Sequence, residues 1–276
     1  MLHVIGIMYF CGMKYTAIIP ARYASTRFPG KPLAMLGGKM VIQRVVEQVM
    51  TLTPDVYVAT DDPRIMEAVS SFGGKTIMTS TNHQSGTDRI REALDILCGI
   101  SSPHHGQTIQ SLSPDMIPDV IINVQGDEPF IQRSQLETVM RCFDDSSTQI
   151  ATLGKRFESI EAVMNPNSPK IVVDNNNYAM YFSRSPIPFI RGKEQVQWLS
   201  SYPFLKHLGL YAYRTDVLRA ITNLPQSSLE QAESLEQLRW LQNGYRIKVG
   251  LTDVETVGID TPEDLKHAED ILQMSR

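Results

Sequence analysis

A short basic stretch near the N-terminus, AIIPARYASTRFPGKPLAML, concentrates residue types that bind anions. Arg22, Arg27 and Lys31 follow an apolar run and offer charge-assisted hydrogen bonds to phosphate oxygens. The small residues among them, whose backbone N–H groups can approach a phosphate closely, are Ala21, Ala24, Ser25 and Gly30. Neither common phosphate-loop spacing, G-x-x-x-x-G-K-S/T or G-x-G-x-x-G, is present. The stretch therefore predicts a phosphate site of another kind, and the alternative is a solvated loop with scattered charges.

Two further motifs add carboxylates that suit a divalent cation. Asp127 and Glu128 in VQGDEP follow an apolar strand pattern, and Asp260 in VGIDTPEDL precedes a helix start. A carboxylate beside a polyphosphate is repelled unless a cation lies between them, and Mg²⁺ binds both carboxylate and phosphate oxygens. Asp127 and Asp260 are therefore candidate Mg²⁺ ligands. Taken alone, each has a plainer interpretation, as a Gly-Asp turn or as an ordinary helix N-terminus.

Three other motifs carry polar groups whose role the residues alone do not decide. NHQSGTDRI offers Ser85, Gly86 and Thr87, either as a helix start or as a loop that reads a nucleobase edge. LKHLGLYAYR alternates with period two, so that His207 and Tyr211 share a face. A helix predicted over Leu229–Asn243 carries one stripe of residues at helical spacing, namely Glu233, Glu236, Gln237 and Trp240. For such polar faces, exposure to solvent is the alternative.

The elements that must position these residues alternate between strand and helix in the first half of the chain. The predicted order is strand Tyr15–Pro20, helix Val41–Leu52, strand Asp55–Thr60, helix Asp62–Phe72, strand Lys75–Thr79, helix Ser85–Leu97 and strand Asp119–Val124. The last strand is apolar on both faces, as in a buried parallel sheet. This βαβα order predicts a Rossmann-like, doubly wound α/β fold, in which ligands bind at the carboxyl ends of the strands.

The second half of the chain has a stronger β pattern. The predicted strands are Lys170–Asp174, Tyr178–Ser183, Leu208–Arg214 and Arg246–Leu251. The turn signal Asp174-Asn175-Asn176-Asn177 predicts that the first two form a hairpin. We interpret residues from about 170 to 214 as a β excursion from a single domain that spans residues 13–276. A final helix is predicted to begin after the cap Thr261, with Pro262 in its first turn.

Two segments interrupt this organisation. Residues 99–118 are rich in Ser, Pro, His and Gln and are predicted to form a surface loop. Its histidines, His104 and His105, are expected to be solvated, since a histidine pair in a polar loop is seldom a metal site. Residues 1–12 lack the basic region and cleavage site of a signal peptide, which predicts a non-core N-terminal extension. An additional edge segment is an equally good interpretation of residues 1–12.

The composition excludes several classes of protein. The chain of 276 residues has ordinary hydrophobic (42%) and charged (20%) fractions and a formal net charge of −4. A general nucleic-acid or membrane-surface binder needs an excess of Lys and Arg, and no apolar run has the length of a membrane helix. We therefore expect neither nucleic-acid binding nor membrane insertion. Cys11, Cys98 and Cys142 are too few and too widely spaced for a disulfide framework, which predicts a cytoplasmic protein.

Seven blocks occur in an order that resembles one enzyme family. They are IIPARYASTRFPGKPL, QSGTDR, VQGDEP, YFSRSPIP, HLGLYAYR, LEQLR and GIDTPEDL. Over most of residues 15–275 the chain resembles the 3-deoxy-manno-octulosonate cytidylyltransferases, the CMP-KDO synthetases of Gram-negative bacteria. The resemblance implies that the anomeric hydroxyl of 3-deoxy-D-manno-octulosonate (KDO) attacks the α-phosphorus of CTP with the help of Mg²⁺. Pyrophosphate is released, and the CMP-KDO that forms serves lipopolysaccharide synthesis.

The same resemblance implies a fold, an assembly and roles for individual residues. The fold is a nucleotidyltransferase fold of glycosyltransferase-A-like type, with a mixed sheet, and the assembly is a homodimer to which the β excursion contributes. Catalytic roles fall to Arg22, Lys31, Asp127 and Asp260, of which Asp127 and Asp260 are the Mg²⁺ ligands. The nucleotide-binding residues are Ala21, Arg22, Ser25, Arg27, Lys31, Ser85, Gly86 and Thr87. The residues for the sugar acid are Gln125, Arg184, His207, Tyr211, Glu236 and Gln237.

Two other functions are compatible with these motifs. A cytidylyltransferase for another acid sugar, such as a sialic acid, would share the reaction and differ at the residues that hold the sugar. A nucleotide-binding or scaffold protein without activity would share the fold alone. The four intact catalytic candidates, Arg22, Lys31, Asp127 and Asp260, argue against an inactive protein. Turnover in the presence of Mg²⁺ distinguishes an enzyme from such a scaffold.

Overall fold

The computed structural model describes residues 8–10, 12–255 and 257–274. The chain forms two compact units, one from the described parts of residues 1–136 and 256–276 and the other from residues 137–255. Our prediction of a single domain over residues 13–276 stays a prediction. Within the described ranges, no helix combines the length and the apolar composition that crossing a bilayer requires.

Strands and helices alternate along most of the chain. The strands are β1 (Met8–Phe10), β2 (Met13–Ala21), β3 (Met35–Leu36), β4 (Lys39–Met40), β5 (Val56–Thr60), β6 (Lys75–Met78), β7 (Val120–Asn123), β8 (Ile150–Arg156), β9 (Lys170–Val173), β10 (Ala179–Ser183), β11 (Leu205–Arg214) and β12 (Ile247–Leu251). The helices are α1 (Val41–Met50), α2 (Pro63–Ser71), α3 (Gly86–Leu97), α4 (Arg133–Arg141), α5 (Ile160–Met164), α6 (Trp198–Ser201), α7 (Thr215–Ile221), α8 (Ser228–Glu233), α9 (Gln237–Gln242) and α10 (Pro262–Met274). The βαβα order predicted for the first half is confirmed, with ends that differ by one or two residues.

The first unit contains a parallel sheet whose strand order reverses at β2. The order is β6-β5-β2-β7, and each neighbouring pair is parallel. Ile18 of β2 and Ile122 of β7 are fully buried, as expected for strands covered on both faces. In a doubly wound sheet, ligands bind beyond the carboxyl ends of the strands at the point where the order reverses. A ligand site is therefore expected at the loops that follow β2 and β7.

Two helices of this unit begin at the residues that the sequence indicates. The side chain of Asp62 accepts the N–H of Arg64 at 2.9 Å, and Pro63 occupies the first turn of α2. The hydroxyl of Ser85 accepts the N–H of Asp88 at 3.1 Å and caps α3. Both side chains satisfy N–H groups that would otherwise lack a partner at a helix start.

The second unit contains a mixed sheet in the order β10-β9-β11-β8-β12. Its neighbours are antiparallel except for β8 and β12, which are parallel. β9 and β10 form the predicted hairpin, in which the side chain of Asp174 accepts the N–H groups of Asn176 and Tyr178. Asn177 has a φ of 59° at this turn, a conformation that asparagine tolerates.

The single helix predicted over Leu229–Asn243 is wrong, because the chain breaks there into α8 and α9. Ser234 lies between the two helices with a left-handed φ of 51°. A buried bidentate ion pair, in which Nη2 of Arg239 lies 2.5 Å from Oε1 of Glu230, joins the two pieces. The predicted stripe is therefore divided. Glu233 ends α8, Glu236 precedes α9, and Gln237 and Trp240 lie on α9.

The two interrupting segments have different structures. β1 pairs antiparallel with the start of β2, so residues 8–10 agree with the edge-segment interpretation. Residues 1–7 and 11 lie outside the described residues, and the prediction of a non-core extension over residues 1–12 stays a prediction. The segment of residues 99–118 contains a 3₁₀ helix at Pro114–Met116 and is largely exposed, as predicted for a surface loop.

Candidate active site

Two loops of the first unit meet beyond the carboxyl ends of β2 and β7. Residues 22–31 follow β2, and residues 124–129 follow β7. The loop after β7 lies close to the end of β2 because of Gly126, since a Cβ atom there would lie 2.9 Å from the carbonyl oxygen of Pro20. A larger residue would move this loop away from β2. The sheet and this glycine together bring Asp127 beside the cationic residues.

Local hydrogen bonds shape the loop of residues 22–31, the cationic loop. Gly30 has a φ of 73°, a conformation that favours glycine, and its N–H donates to the carbonyl oxygen of Tyr23 at 2.9 Å. The hydroxyl of Ser25 accepts the N–H of Phe28 at 3.3 Å. Lys31 then opens a 3₁₀ helix, and its side chain is only 13% exposed. The loop thus closes on itself and holds Lys31 inward.

The ammonium group of Lys31 lies between two carboxylates. Its Nζ is 2.5 Å from Oδ2 of Asp127 and 3.1 Å from Oδ1 of Asp260. Nη2 of Arg27 is 3.0 Å from the other carboxylate oxygen of Asp260. The Arg27 and Asp260 side chains are 65% and 50% exposed, so this outer pair contributes little to stability and can exchange partners readily. The two carboxylates that the motifs suggested as ligands of a cation therefore both contact the ammonium group of Lys31.

Asp260 is fixed in place by the start of α10. The N–H of Ile259 donates to the carbonyl oxygen of Asp127 at 2.9 Å, which ties this segment to the loop after β7. The carboxylate of Asp264 accepts the N–H groups of Asp260 and Thr261, while the Thr261 hydroxyl accepts the N–H of Asp264. Burial alone would raise the pKa of Asp264, but these hydrogen bonds outweigh it and lower that pKa. The predicted cap Thr261 is confirmed, and the Asp260 carboxylate is left to face Lys31.

The N-terminus of α3 forms another wall of the same site. Ser85 caps the helix, Gly86 is exposed, and Thr87 is buried beneath them. Arg89 is also buried, and its guanidinium is 2.7 Å from Oδ2 of Asp61 and 2.6 Å from the Thr79 hydroxyl. Ser85 is therefore a helix cap, which leaves room for a second role in ligand binding.

These walls enclose one cleft of about 290 Å³, the cationic cleft. Of the predicted site residues, it is lined by Ala21, Arg22, Ser25, Arg27, Lys31, Ser85, Gly86, Gln125, Asp127 and Asp260. Its four Arg and Lys side chains outnumber its two carboxylates, so the lining favours an anion. Across the described parts of the chain, no group of three or more His, Cys, Asp or Glu side chains forms a metal site. A metal here would be held by Asp127 and Asp260, with oxygen ligands from substrate and water completing its shell.

Three of the cleft residues that the sequence analysis missed lie close together, within residues 83–89. They are His83, Gln84 and Arg89. The signal available was their position within or beside the QSGTDR block, on the loop that leads into α3. The sequence leaves that block open between a helix start and a loop that reads a nucleobase edge, and neither interpretation named the histidine two residues before Ser85.

In the second unit, four rings pack together as a cluster, the tyrosine cluster, formed by His207, Tyr211, Tyr213 and Trp240. The rings of Tyr211 and Tyr213 stack at 5.9 Å, and the edge of Trp240 meets them at 5.3 and 5.5 Å. The His207 ring lies 5.4 Å from that of Tyr211. Burial lowers the pKa of His207 to about 4, so the imidazole is neutral at pH 7. Its Nε2 is 3.2 Å from the Thr152 hydroxyl.

Two buried polar atoms belong to or adjoin this cluster. Oη of Tyr211 and Nε2 of Gln237 have no hydrogen-bond partner among the described residues. Gln237 lies one helical turn before Trp240 and therefore on the same face of α9. An unsatisfied buried polar atom costs about 1–3 kcal/mol, and a ligand that supplies its partner recovers that free energy. The cluster thus has the chemistry of a site for a hydroxylated molecule.

Arg184 is held by backbone carbonyl groups. Its Nε donates to the carbonyl oxygen of Glu233 at 2.7 Å, and its Nη2 donates to that of Ser234 at 3.2 Å. Nη1 donates to the carbonyl oxygen of Pro166 at 3.0 Å. Lys170 is fully buried, which lowers its pKa, and its ammonium donates to the carbonyl oxygen of Arg184. Three of the five N–H groups of the guanidinium are therefore committed to the fold.

Comparisons with known proteins identify the family of the chain. A family model described as Cytidylyltransferase matches residues 16–247. The chain is 60% identical over 264 residues to the 3-deoxy-manno-octulosonate cytidylyltransferase of Bacteroides thetaiotaomicron, covering 95% of this chain and 99% of that protein. It is 59% identical over 264 residues to the enzyme of the same name from Phocaeicola vulgatus, covering 95% and 98%. A solved structure of CMP:2-keto-3-deoxy-manno-octonic acid synthetase complexed with CTP is similar, with a TM-score of 0.82, 39% identity and coverage of 95% and 99%.

The doubly wound sheet is therefore that of a cytidylyltransferase, a class of nucleotidyltransferase. The two relatives at 60% and 59% identity share a more specific name within this class. The chain belongs to the 3-deoxy-manno-octulosonate cytidylyltransferase family.

Proposed function

We propose that this protein transfers CMP from CTP to KDO, releases pyrophosphate and forms CMP-KDO for lipopolysaccharide synthesis. The observation that carries the proposal is the placement of Lys31 between Asp127 and Asp260 in a cleft whose lining favours an anion. Membership of the 3-deoxy-manno-octulosonate cytidylyltransferase family supports the choice of CTP and of KDO as substrates.

The reaction requires in-line attack of the anomeric hydroxyl oxygen of KDO on the α-phosphorus of CTP. A new bond forms between that oxygen and phosphorus while the bond from the α-phosphorus to the bridging oxygen breaks, the hydroxyl proton passes to solvent, and pyrophosphate leaves. Arg22, Arg27 and Lys31 would stabilise the negative charge that the leaving group gains, which lowers the barrier more than it stabilises bound CTP. Ala21, Ser25 and the start of α3 would hold the remainder of the nucleotide.

Asp127 and Asp260 would hold Mg²⁺. The donor set fits, because two carboxylates already converge on the ammonium group of Lys31, which acts as a stand-in cation. Mg²⁺ is commonly bound by one or two carboxylates together with substrate phosphates. When bound, the ion would neutralise phosphate oxygens and acidify a coordinated hydroxyl group.

The second unit would hold the sugar acid. Because His207 is neutral at pH 7, it can exchange hydrogen bonds with hydroxyl groups but cannot balance a carboxylate. That charge would fall to the uncommitted N–H groups of Arg184. Oη of Tyr211 and Nε2 of Gln237 would gain the hydrogen-bond partners that they lack among the described residues, and Glu236 belongs to the same predicted set.

The test is an assay for pyrophosphate release with several nucleotides and several acid sugars. We expect turnover with CTP, KDO and Mg²⁺, and CMP-KDO as the product by mass spectrometry. Turnover with a sialic acid but not with KDO would instead establish the alternative, a cytidylyltransferase for another acid sugar. Absence of turnover with every pair would leave a nucleotide-binding protein without activity.

A homodimer is part of the proposal. The predicted β excursion exposes three large apolar side chains, Met180, Phe189 and Val196, at 63%, 74% and 76%. Exposed apolar groups in one segment are typical of a surface that is covered in an assembly. Light scattering coupled to size-exclusion chromatography measures the mass directly, and a monomer would contradict this part. Residence in the cytoplasm stays a prediction.

A further inference from the structure

One carboxylate on α3 collects hydrogen bonds from two other segments of the first unit. Oε2 of Glu92 lies 2.5 Å from Nε2 of His83 and accepts the N–H of Ser80 at 2.7 Å. Oε1 of Glu92 lies 2.9 Å from Nε2 of His104. His83 lines the cationic cleft, whereas His104 belongs to the segment of residues 99–118. Glu92 therefore connects that segment to the wall of the cleft.

The charge of Glu92 determines which atom donates the hydrogen in its contacts with His83 and His104. Burial alone would raise the pKa of Glu92, but the hydrogen bonds from His83, Ser80 and His104 outweigh it and lower that pKa. The carboxylate is consequently ionised at neutral pH and can only accept. Nε2 of each histidine must then carry a hydrogen and donate it to the carboxylate, which fixes the orientation of the His83 ring.

The segment of residues 99–118 is docked on the same part of the fold. The side-chain amide of Gln107 accepts the N–H of Met78 at 2.8 Å and donates to the carbonyl oxygen of Thr76 at 2.9 Å. It thereby pairs with the free edge of β6 as a neighbouring strand would. The N–H of His104 donates to the carbonyl oxygen of Met78, and that of Leu112 donates to the carbonyl oxygen at the end of α3. A segment with these attachments is not a freely moving loop.

We propose that Glu92 is a positioning residue for the nucleoside part of the cationic cleft, and that the segment of residues 99–118 acts on the cleft through His104. The inference rests on the proposed function, because it takes CTP as the ligand. His83 precedes the helix start that holds Ser85 and Gly86, so a change in its orientation alters the wall predicted to contact cytidine. Loss of His104 frees one side of Glu92 and loosens His83.

A metal site is the competing interpretation of two histidines and a glutamate. The ring nitrogens lie at hydrogen-bonding distance from the carboxylate oxygens, which serve as the hub of the group. No metal site of three such side chains is found in residues 8–10, 12–255 and 257–274. The hydrogen-bonded arrangement therefore accounts for all three residues without an ion.

The first test compares His104→Asn with His105→Asn in the full chain. Asn cannot reach Glu92 from position 104, and it tolerates the φ of 53° at position 105, where the side chain is exposed. Calorimetry in the absence of KDO should show about fivefold weaker CTP binding for His104→Asn, which corresponds to about 1 kcal/mol. The KM for KDO should not change, and His105→Asn should behave as the parent protein. Equal CTP affinity in the two variants would overturn the proposal. An equal rise in the KM for CTP and the KM for KDO in His104→Asn would also overturn it.

The second test needs no variant. Hydrogen exchange on the parent protein, with and without CTP, should show slower exchange in residues 99–118 and in residues 80–85 when CTP binds. Protection of residues 80–85 alone would mean that the segment does not respond to the cleft and would overturn its part of the inference. If the parent protein turned over CTP and KDO normally, that result would leave the proposed function intact. If it did not bind CTP at all, the proposed function itself would fail.

Discussion

The cationic cleft and the tyrosine cluster solve the problem of holding polar groups in opposite ways. In the cleft, Lys31 and Arg27 are paired with Asp127 and Asp260, and the outer pair is at least half exposed. In the cluster, His207 is neutral, and the buried Oη of Tyr211 has no partner among the described residues. The cleft holds charged side chains in ion pairs, and its outer pair is open to water. The cluster holds uncharged polar groups and leaves a buried one without a hydrogen-bond partner among the described residues.

This difference determines which free-energy terms favour or oppose ligand binding in each region. Paired charges near solvent can exchange partners at small cost, since exposed ion pairs contribute about 0–1 kcal/mol. A triphosphate with Mg²⁺ can therefore separate the exposed pair of Arg27 and Asp260 at small cost, whereas the pair of Lys31 and Asp127 is more deeply held. Buried unsatisfied groups already cost about 1–3 kcal/mol each, and a sugar that bonds to them recovers this free energy. The cleft is suited to charge stabilisation, and the cluster to selection among hydroxylated acids.

The largest effect is expected from Asp127→Asn and Asp260→Asn. A neutral amide is a poor ligand for Mg²⁺, and losing several kcal/mol of charge stabilisation lowers turnover by about a thousandfold. The measurement is pyrophosphate release as a function of Mg²⁺ concentration, with KDO and CTP saturating. If Asp260→Asn keeps full activity at low Mg²⁺, Asp260 is only part of a helix start.

Lys31→Ala should lower kcat by about two to three powers of ten, by analogy with the loss of one transition-state donor. Its melting temperature should change little, because Asp260 keeps its pair with Arg27, and the Asp127 and Asp260 side chains, 29% and 50% exposed, remain in contact with water. Lys39→Ala is the matched control, since Lys39 forms an exposed pair with Glu47 at 2.6 Å, and it should retain activity. Normal turnover of Lys31→Ala with a large fall in melting temperature would identify a structural lysine.

An intermediate effect, confined to the sugar, is expected in the tyrosine cluster. Tyr211→Phe removes a hydroxyl group that has no hydrogen-bond partner among the described residues, so the stability of the unliganded protein should not fall. His207→Ala removes a hydrogen-bonding ring. Each should weaken use of KDO by about five- to 150-fold, the equivalent of about 1–3 kcal/mol.

The control for these two variants is CTP binding without KDO, which should stay near that of the parent protein. Equal loss of CTP binding and KDO use in both variants would show that the cluster supports the fold or the nucleotide. That outcome would remove the distinction between the two regions.

Much of the cleft could be predicted from sequence because a parallel sheet brings the carboxyl ends of its strands to one edge. The loops after β2 and β7 had to meet, and with them Lys31 and Asp127. The order of strands and helices in the first unit followed from periodicity for the same reason, since each element carries its own pattern.

The features that sequence reasoning missed depend on contacts between distant residues. Ser234 adopts a left-handed φ that Gly would normally occupy, and the carbonyl oxygens of Glu233 and Ser234 are held by Arg184, about fifty residues earlier. His83 and His104 meet on Glu92 only because residues 99–118 fold back onto β6. No local pattern encodes either arrangement.

The smallest effect concerns pH and tests whether His207 is as deeply held as the cluster requires. The pKa of His207 is lowered by burial to about 4, whereas an unfolded histidine titrates near about 6.5. Between those two values the unfolded chain takes up a proton that the folded protein refuses, so the free energy of unfolding must fall as the pH drops through this window. The KM for KDO, in contrast, should stay flat from pH 8 to about 5.5, because the imidazole remains neutral throughout.

Proton NMR of the histidine ring in the parent protein and in His207→Gln measures the titration directly. A KM that rises with a midpoint near about 6.5 and loses that dependence in His207→Gln would show an imidazole open to water. The contrast with the solvent-facing cleft would then disappear.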